Sequence, residues 1–154
     1  MIEIIVSERR CAVVQQTAST WTVNRIVALV IGVVFLIIGI LGLLFDTTGG
    51  YLLGFQVDLM HNIVHLLTGV LGLWAAFGGW SRIFNRVFGI IYLLIGIAGL
   101  IPALYFGGKL LGMMAVNGAD NVLHLVVGII ATLVGFFVHD VVTGSGRADT
   151  MARP

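Results

Sequence analysis

In a chain of 154 residues, 59% are hydrophobic and 10% are charged, with a mean hydropathy of +1.11. A soluble domain carries about 25% charged residues, so this much apolar surface cannot be hidden in one small core and a soluble globular fold is excluded. A net charge of +1 gives no electrostatic basis for binding nucleic acid, and one cysteine, Cys11, can form neither an internal disulfide nor a metal cluster.

Taken in order, the chain opens with residues 1–20, expected to form a cytoplasmic arm in which Cys11 is an ordinary reduced thiol. Four uncharged runs follow, at 26–45, 59–81, 87–108 and 121–139. A hydrocarbon core of roughly 30 Å takes about 20 helical residues at 1.5 Å each, so each run is long enough to cross it. No ten-residue alternation suggests a barrel. The spacing therefore predicts an all-α, polytopic four-helix membrane bundle over residues 21–140, with helices at about 23–45, 58–79, 84–106 and 119–139. The first run is too long for a cleaved signal, and no small-x-small site follows Phe45. Residues 141–154 are expected to be a disordered cytoplasmic tail.

Basic residues set the orientation. Arg9, Arg10, Arg25, Arg82, Arg86, Arg147 and Arg153 fall on one side and Lys109 alone on the other, which places both termini in the cytoplasm of a cell whose plasma membrane holds the chain. Trp21 and Trp80 then sit at the inner boundary, and Tyr51 and Tyr105 near the outer one.

The halves match when superposed. Gly32, Phe35, Gly39 and Gly42 correspond to Gly89, Tyr92, Gly96 and Gly99, and Arg25 corresponds to Arg82. The loops share Gly49-Gly-Tyr-Leu-Leu-Gly54 and Gly107-Gly-Lys-Leu-Leu-Gly112. Two tandem two-helix repeats are the expected architecture. The recurring glycines read as packing seams, because a helix without side chains on one face approaches its neighbour closely.

A polar stripe runs down the second span, with Asp58, Asn62 and His65 on one helical face, and Asn117, Asn121 and His124 repeat it on the fourth. Asp58 and Asn117 suit the N-cap position. His61 and Asp120 stand one turn before the two deeper histidines. In a structural reading Asn62 bonds His124 and Asn121 bonds His65, clamping helices two and four in register. A ligand-binding reading gives His65 and His124 to haem b, or gives His61, His65, Asp120 and His124 to a divalent metal. A third reading, a small transporter or proton path, would depend on Asp58 and Asp120, since no carboxylate lies deep in any span. None of Ser7, Ser19, Ser81 or Ser145 adjoins a histidine, so the chain is not expected to be an enzyme.

At His61-Asn62-Ile-Val-His65 and Asp120-Asn121-Val-Leu-His124 the chain resembles the small four-helix integral membrane proteins of actinobacteria and relatives that are catalogued as a domain of unknown function. The resemblance covers about residues 24 to 138 and leaves the arm outside the pattern. It implies the four-helix topology and no particular activity. The expectation from sequence is a non-enzymatic structural or accessory component of the cytoplasmic membrane, without a cofactor, with haem or metal binding as the alternative. Its expected partners are the lipid bilayer and, through glycine-rich faces, further copies or other membrane proteins.

Overall fold

The structure, a computed structural model, describes residues 21–140; the expected arm and tail lie outside the described residues. Thr22 starts α1 (Val23–Phe45) by accepting from the Arg25 amide at 3.3 Å, which satisfies one of the donors a helix start leaves without partners. Beyond α1, the Asp46 carboxylate accepts from the Thr48 amide at 2.7 Å and the Thr48 hydroxyl at 2.9 Å, turning the chain into β1 (Thr48–Leu52). β1 pairs antiparallel with β2 (Phe55–Asp58). The two residues between them, Leu53 and Gly54, have φ of 53° and 89°, the left-handed pair that matches a two-residue hairpin turn to strand twist. Leu111 and Gly112 take the same conformation, at 52° and 70°, in the second Leu-Leu-Gly motif.

α2 (Leu59–Gly78) ends at Gly79, whose φ of 81° is left-handed, and α3 (Ser81–Ala98) starts two residues later. A 3-10 turn at Pro102–Leu104 and a short antiparallel hairpin of β3 (Tyr105–Phe106) and β4 (Lys109–Leu110) lead to α4 (Gly118–Phe137). Asn117 caps α4 in a reciprocal box with Asp120. All four helices are long and apolar enough to cross a membrane, and the chain is an all-α, multi-pass membrane protein.

The bounds of α3 and the form of the connections differ from the sequence expectation. α3 begins at Ser81 and stops at Ala98, where residues 84–106 are expected from the uncharged run. Charge counting cannot see the stop: Pro102 has no N–H to continue the ladder, and Gly99 closes the last turn with its own amide on the Ile95 carbonyl. The early start carries Arg82 and Arg86 on the helix itself. At the opposite end of the bundle the connections after α1 and α3 fold into β-hairpins, which uncharged runs do not report.

The helices pack as two pairs, α1 with α2 and α3 with α4. A Cβ added to Gly32 would lie 2.6 Å from the Leu73 amide nitrogen, and one on Gly69 2.6 Å from that of Leu36. Gly89 and Gly128 stand equally close to the amides of Thr132 and Leu93, at 2.5 and 2.7 Å. Backbone therefore touches backbone within each pair, an approach only glycine permits. The pairs meet through α1 against α3 and α4, and α2 against α3. α2 and α4 are not among the closely packed pairs; they meet across the diagonal through the long side chains of His61, His65 and His124.

Aromatic rings fill the space between the pairs. Phe84, Phe88 and Tyr92 stack along α3, with centroids 5.4 and 4.0 Å apart, and Phe35 of α1 stands edge-on to Phe88 and Tyr92. At the end where the described chain starts and stops, Asn85 donates to the Asn24 carbonyl at 3.0 Å, and Asn24 donates to the Val138 carbonyl at 2.9 Å. Arg25 donates to the Ala76 carbonyl, while Arg82 and Arg86 both donate to Gly135, so each pair has its second helix finished by arginines of its first.

Candidate metal centre

The β-hairpin end of the bundle holds the polar stripe. Asp58 is 1% exposed and caps α2, its Oδ1 accepting from the His61 amide at 2.9 Å. Its Oδ2 accepts from the Ala115 amide at 3.0 Å and from the Lys109 ammonium at 2.8 Å. Burial pushes this carboxyl up, but Lys109 and the amides of His61 and Ala115 outweigh it and hold the group below its ordinary value. Ala115 therefore reaches across from the segment before α4 and grips the start of α2.

The asparagines do not form the expected clamps. Asn62 donates to the Asp46 carbonyl at 2.8 Å, and Asn121 donates to the Gly99 carbonyl at 2.8 Å. Each amide closes its own helix pair by bonding to the end of the preceding helix, so the expected bonds from Asn62 to His124 and from Asn121 to His65 are corrected. The reason is local. Gly42 and Gly99 leave the space that the amide oxygens of Asn62 and Asn121 occupy, and the nearest carbonyl lies directly beyond. Asn117, besides capping α4, donates to the Gly54 carbonyl at 2.9 Å.

Three histidines come together where the asparagines do not. His61, His65 and His124 are 1%, 8% and 5% exposed, and one ring nitrogen of each lies within 4.8 Å of those of the other two. The His61 ring is centred 4.5 Å from His65 and 5.9 Å from His124. His61 Nδ1 is 2.9 Å from the Ala115 carbonyl. A carbonyl only accepts, so Nδ1 carries the proton and the Nε2 lone pair is left free. His61 Nε2, His65 Nδ1 and His124 Nδ1 are buried and have no hydrogen-bond partner. An unsatisfied buried polar group costs about 1–3 kcal/mol, and each of these three clustered rings carries one.

Aromatic rings hold the two deeper histidines. Phe35 stands edge-on to His65 with centroids 5.0 Å apart, and Tyr92 stands edge-on to His124, also at 5.0 Å. Asp120 lies outside the triad of ligand atoms. Its Oδ2 accepts from the Gln56 amide at 2.9 Å and the Asn117 amide at 2.8 Å. It nevertheless lines, with His65 and His124, a cavity of about 120 Å³ walled by Phe35 and Tyr92 and roofed by Leu52, Leu53 and Phe55 of the β1–β2 hairpin. His139 is exposed and takes no part.

The buried pair Asn24 and Asn85 at the other end of the bundle is a polar feature that the sequence reading passes over. The available signal is an asparagine at each start of an apolar span. Neither lies near the histidines in the fold.

No curated protein and no solved structure matches the chain. One family model, described as "Domain of unknown function (DUF4383)", matches residues 25–137, from the first turn of α1 to the last residue of α4. The match takes in every helix and all three histidines, and by it this chain belongs to that domain-of-unknown-function family.

Proposed function

We propose that this multi-pass membrane protein holds one divalent transition-metal ion on His61, His65 and His124. In this reading it is a non-enzymatic accessory component of the cytoplasmic membrane with both termini in the cytoplasm. The observation that carries the metal site is the convergence of three buried histidines, one ring nitrogen of each within 4.8 Å of the others, with an unpartnered buried nitrogen on every ring. Neutral imidazole suits zinc, copper, nickel and iron, and in a tetrahedral zinc site with bonds near 2.0 Å the nitrogens stand about 3.3 Å apart. The Ala115 carbonyl on His61 Nδ1 is the kind of second partner that fixes the ring orientation of a metal-bound histidine.

A purely structural role for the histidines lacks its hydrogen bonds, because both asparagines are engaged elsewhere. Haem fits less well: the rings pack side by side, and about 120 Å³ falls short of the roughly 300–1,000 Å³ of pockets for larger ligands. The orientation rests on seven arginines against Lys109. The matching glycines, hairpin turns and asparagine bonds of the two helix pairs support descent from one duplicated unit.

Detergent-purified protein dialysed against zinc and analysed for bound metal is expected to retain one ion per chain. His61→Ala, His65→Ala and His124→Ala are each expected to lose it while keeping the helical circular dichroism of the parent. A folded parent that retains no zinc, copper, nickel or iron overturns the proposal.

A further inference from the structure

Resting on the metal reading, we infer that the ion's fourth coordination position belongs to a small exogenous ligand admitted through the small cavity beside His65 and His124. The protein supplies three ligands, since among the described residues the convergent group is His61, His65 and His124 alone. No nearby carboxylate joins that group. Asp58 takes up the His61 and Ala115 amides and the Lys109 ammonium. Asn62 and Asn121 donate their NH2 groups to the ends of α1 and α3, and their amide oxygens sit against Gly42 and Gly99. Asp120 holds two backbone amides on Oδ2 and stands outside the triad.

Three protein ligands plus one open position is the arrangement of a metal that exchanges a ligand, whereas structural sites are closed by four. The cavity gives that position a direction. It touches two of the three histidines and Asp120, and about 120 Å³ holds a few waters or one small linear anion. Its walls are apolar side chains of Phe35, Tyr92 and Val127. Asp120 is the polar group facing the same space, placed to accept a hydrogen bond from a water or other protic ligand in the fourth position. The recognised class is therefore a small anionic or neutral nitrogen or oxygen donor, selected by size.

Cobalt(II) and azide test this on the full chain. Cobalt bound in a tetrahedral site absorbs in the visible range, so the bands report the metal site and their response to azide reports the open position. Azide is expected to change the spectrum saturably, one azide per cobalt, and dialysis to reverse it. The bulkier 1-phenylimidazole is expected to leave the spectrum unchanged. Asp120→Asn, which removes a negative charge from the cavity, is expected to keep the cobalt bands and to tighten azide binding. Absence of cobalt bands sinks the metal reading itself. Cobalt bands indifferent to azide show a site closed by four protein ligands and overturn the inference, and an azide affinity unchanged in Asp120→Asn overturns the placement of Asp120 beside the open position. Equal responses to azide and 1-phenylimidazole overturn the size-selecting cavity.

Discussion

His61 Nδ1 donates to the Ala115 carbonyl at 2.9 Å, so a ring on α2 is aimed by the segment that leads into α4. A counterpart runs the other way, where the Gln56 amide donates to Asp120 Oδ2 at 2.9 Å. Gln56 and Ala115 each stand two residues before a helix cap, and His61 and Asp120 each stand three residues after one. Each helix pair thus fixes a side chain of the other through one backbone group, and in one direction that side chain is a histidine with a free lone pair. The exchange ties the histidine triad to the seam between the pairs.

Weakening the hold on Ala115 is expected to loosen the metal site without unfolding the bundle. Asp58→Asn keeps an oxygen to cap α2 but sets an amide NH2 against the Ala115 amide and removes a nearby negative charge. Metal affinity should fall by about 10–100-fold, the usual cost of disturbing an outer-shell partner. Lys109→Met leaves the Asp58–Ala115 bond intact and removes a positive charge, so its loss should be smaller. Competition with a chelator of known affinity measures both.

Two glycines that touch the stripe should be intolerant of a methyl group. A Cβ on Gly42 would overlap the Asn62 amide, and one on Gly99 would overlap that of Asn121. Gly42→Ala and Gly99→Ala should each cost about 1–3 kcal/mol by overpacking. Gly118, in the first turn of α4, meets nothing within 4 Å and has no positive φ. Gly118→Ala should be neutral or gain up to about 1 kcal/mol, because alanine has less chain entropy to lose on folding. Denaturation of all three in one detergent orders them.

How much of this was legible depends on what each signal encodes. Absence of charge located the four spans because the membrane cost of Lys, Arg, Asp and Glu is large. It was blind to Pro102 and to the Leu-Gly turns, whose effect is on backbone geometry. Helical spacing placed Asn62, His65, Asn121 and His124 on faces, as the fold has them. A face does not name its neighbour: the pattern pairs the asparagines across the bundle, whereas each bonds a carbonyl of its own helix pair, at Asp46 or Gly99. His61 was within reach of the reading as one of four candidate ligands. Its role in the triad needed the third dimension, since it depends on Ala115 turning the ring toward His124.

Because Asn62 and His124 share no hydrogen bond, their substitutions should add. Removing the Asn62 amide should cost about 0.6 kcal/mol, the average for polar contacts in membranes. In metal-free protein, Asn62→Ala and His124→Ala combined should equal the sum of the single changes within about 0.5 kcal/mol. A larger coupling energy would restore the cross-bundle clamp. Denaturation of the double-mutant cycle decides it.

The turn after α1 should respond to acid. The Thr48 amide and hydroxyl, with the amides of Gly50 and Gly49, outweigh desolvation and hold the Asp46 carboxyl below its ordinary value of 3.8. A lowered carboxyl stabilises the fold at pH above that value, and the contribution is lost as pH falls through the folded one. Thr48→Ala removes the hydroxyl partner and should raise the Asp46 value while leaving it below 3.8, since the amides remain. NMR titration of the Asp46 side chain reads the shift directly.

Metal should stabilise the fold by linkage. An ion that binds only the folded chain adds about 2.7 kcal/mol when free metal is 100 times its dissociation constant. Thermal denaturation of the parent should therefore move upward with zinc and return with chelator, while His61→Ala should be indifferent to either. His65→Gln separates the two roles of a buried histidine. Glutamine can hydrogen-bond and pack against Phe35, so a structural role predicts a variant as stable as the metal-free parent that still responds to zinc. A ligand role predicts near-parental stability without zinc and no upward shift with it. The second pattern is expected, because His65 Nδ1 has no hydrogen bond for glutamine to replace.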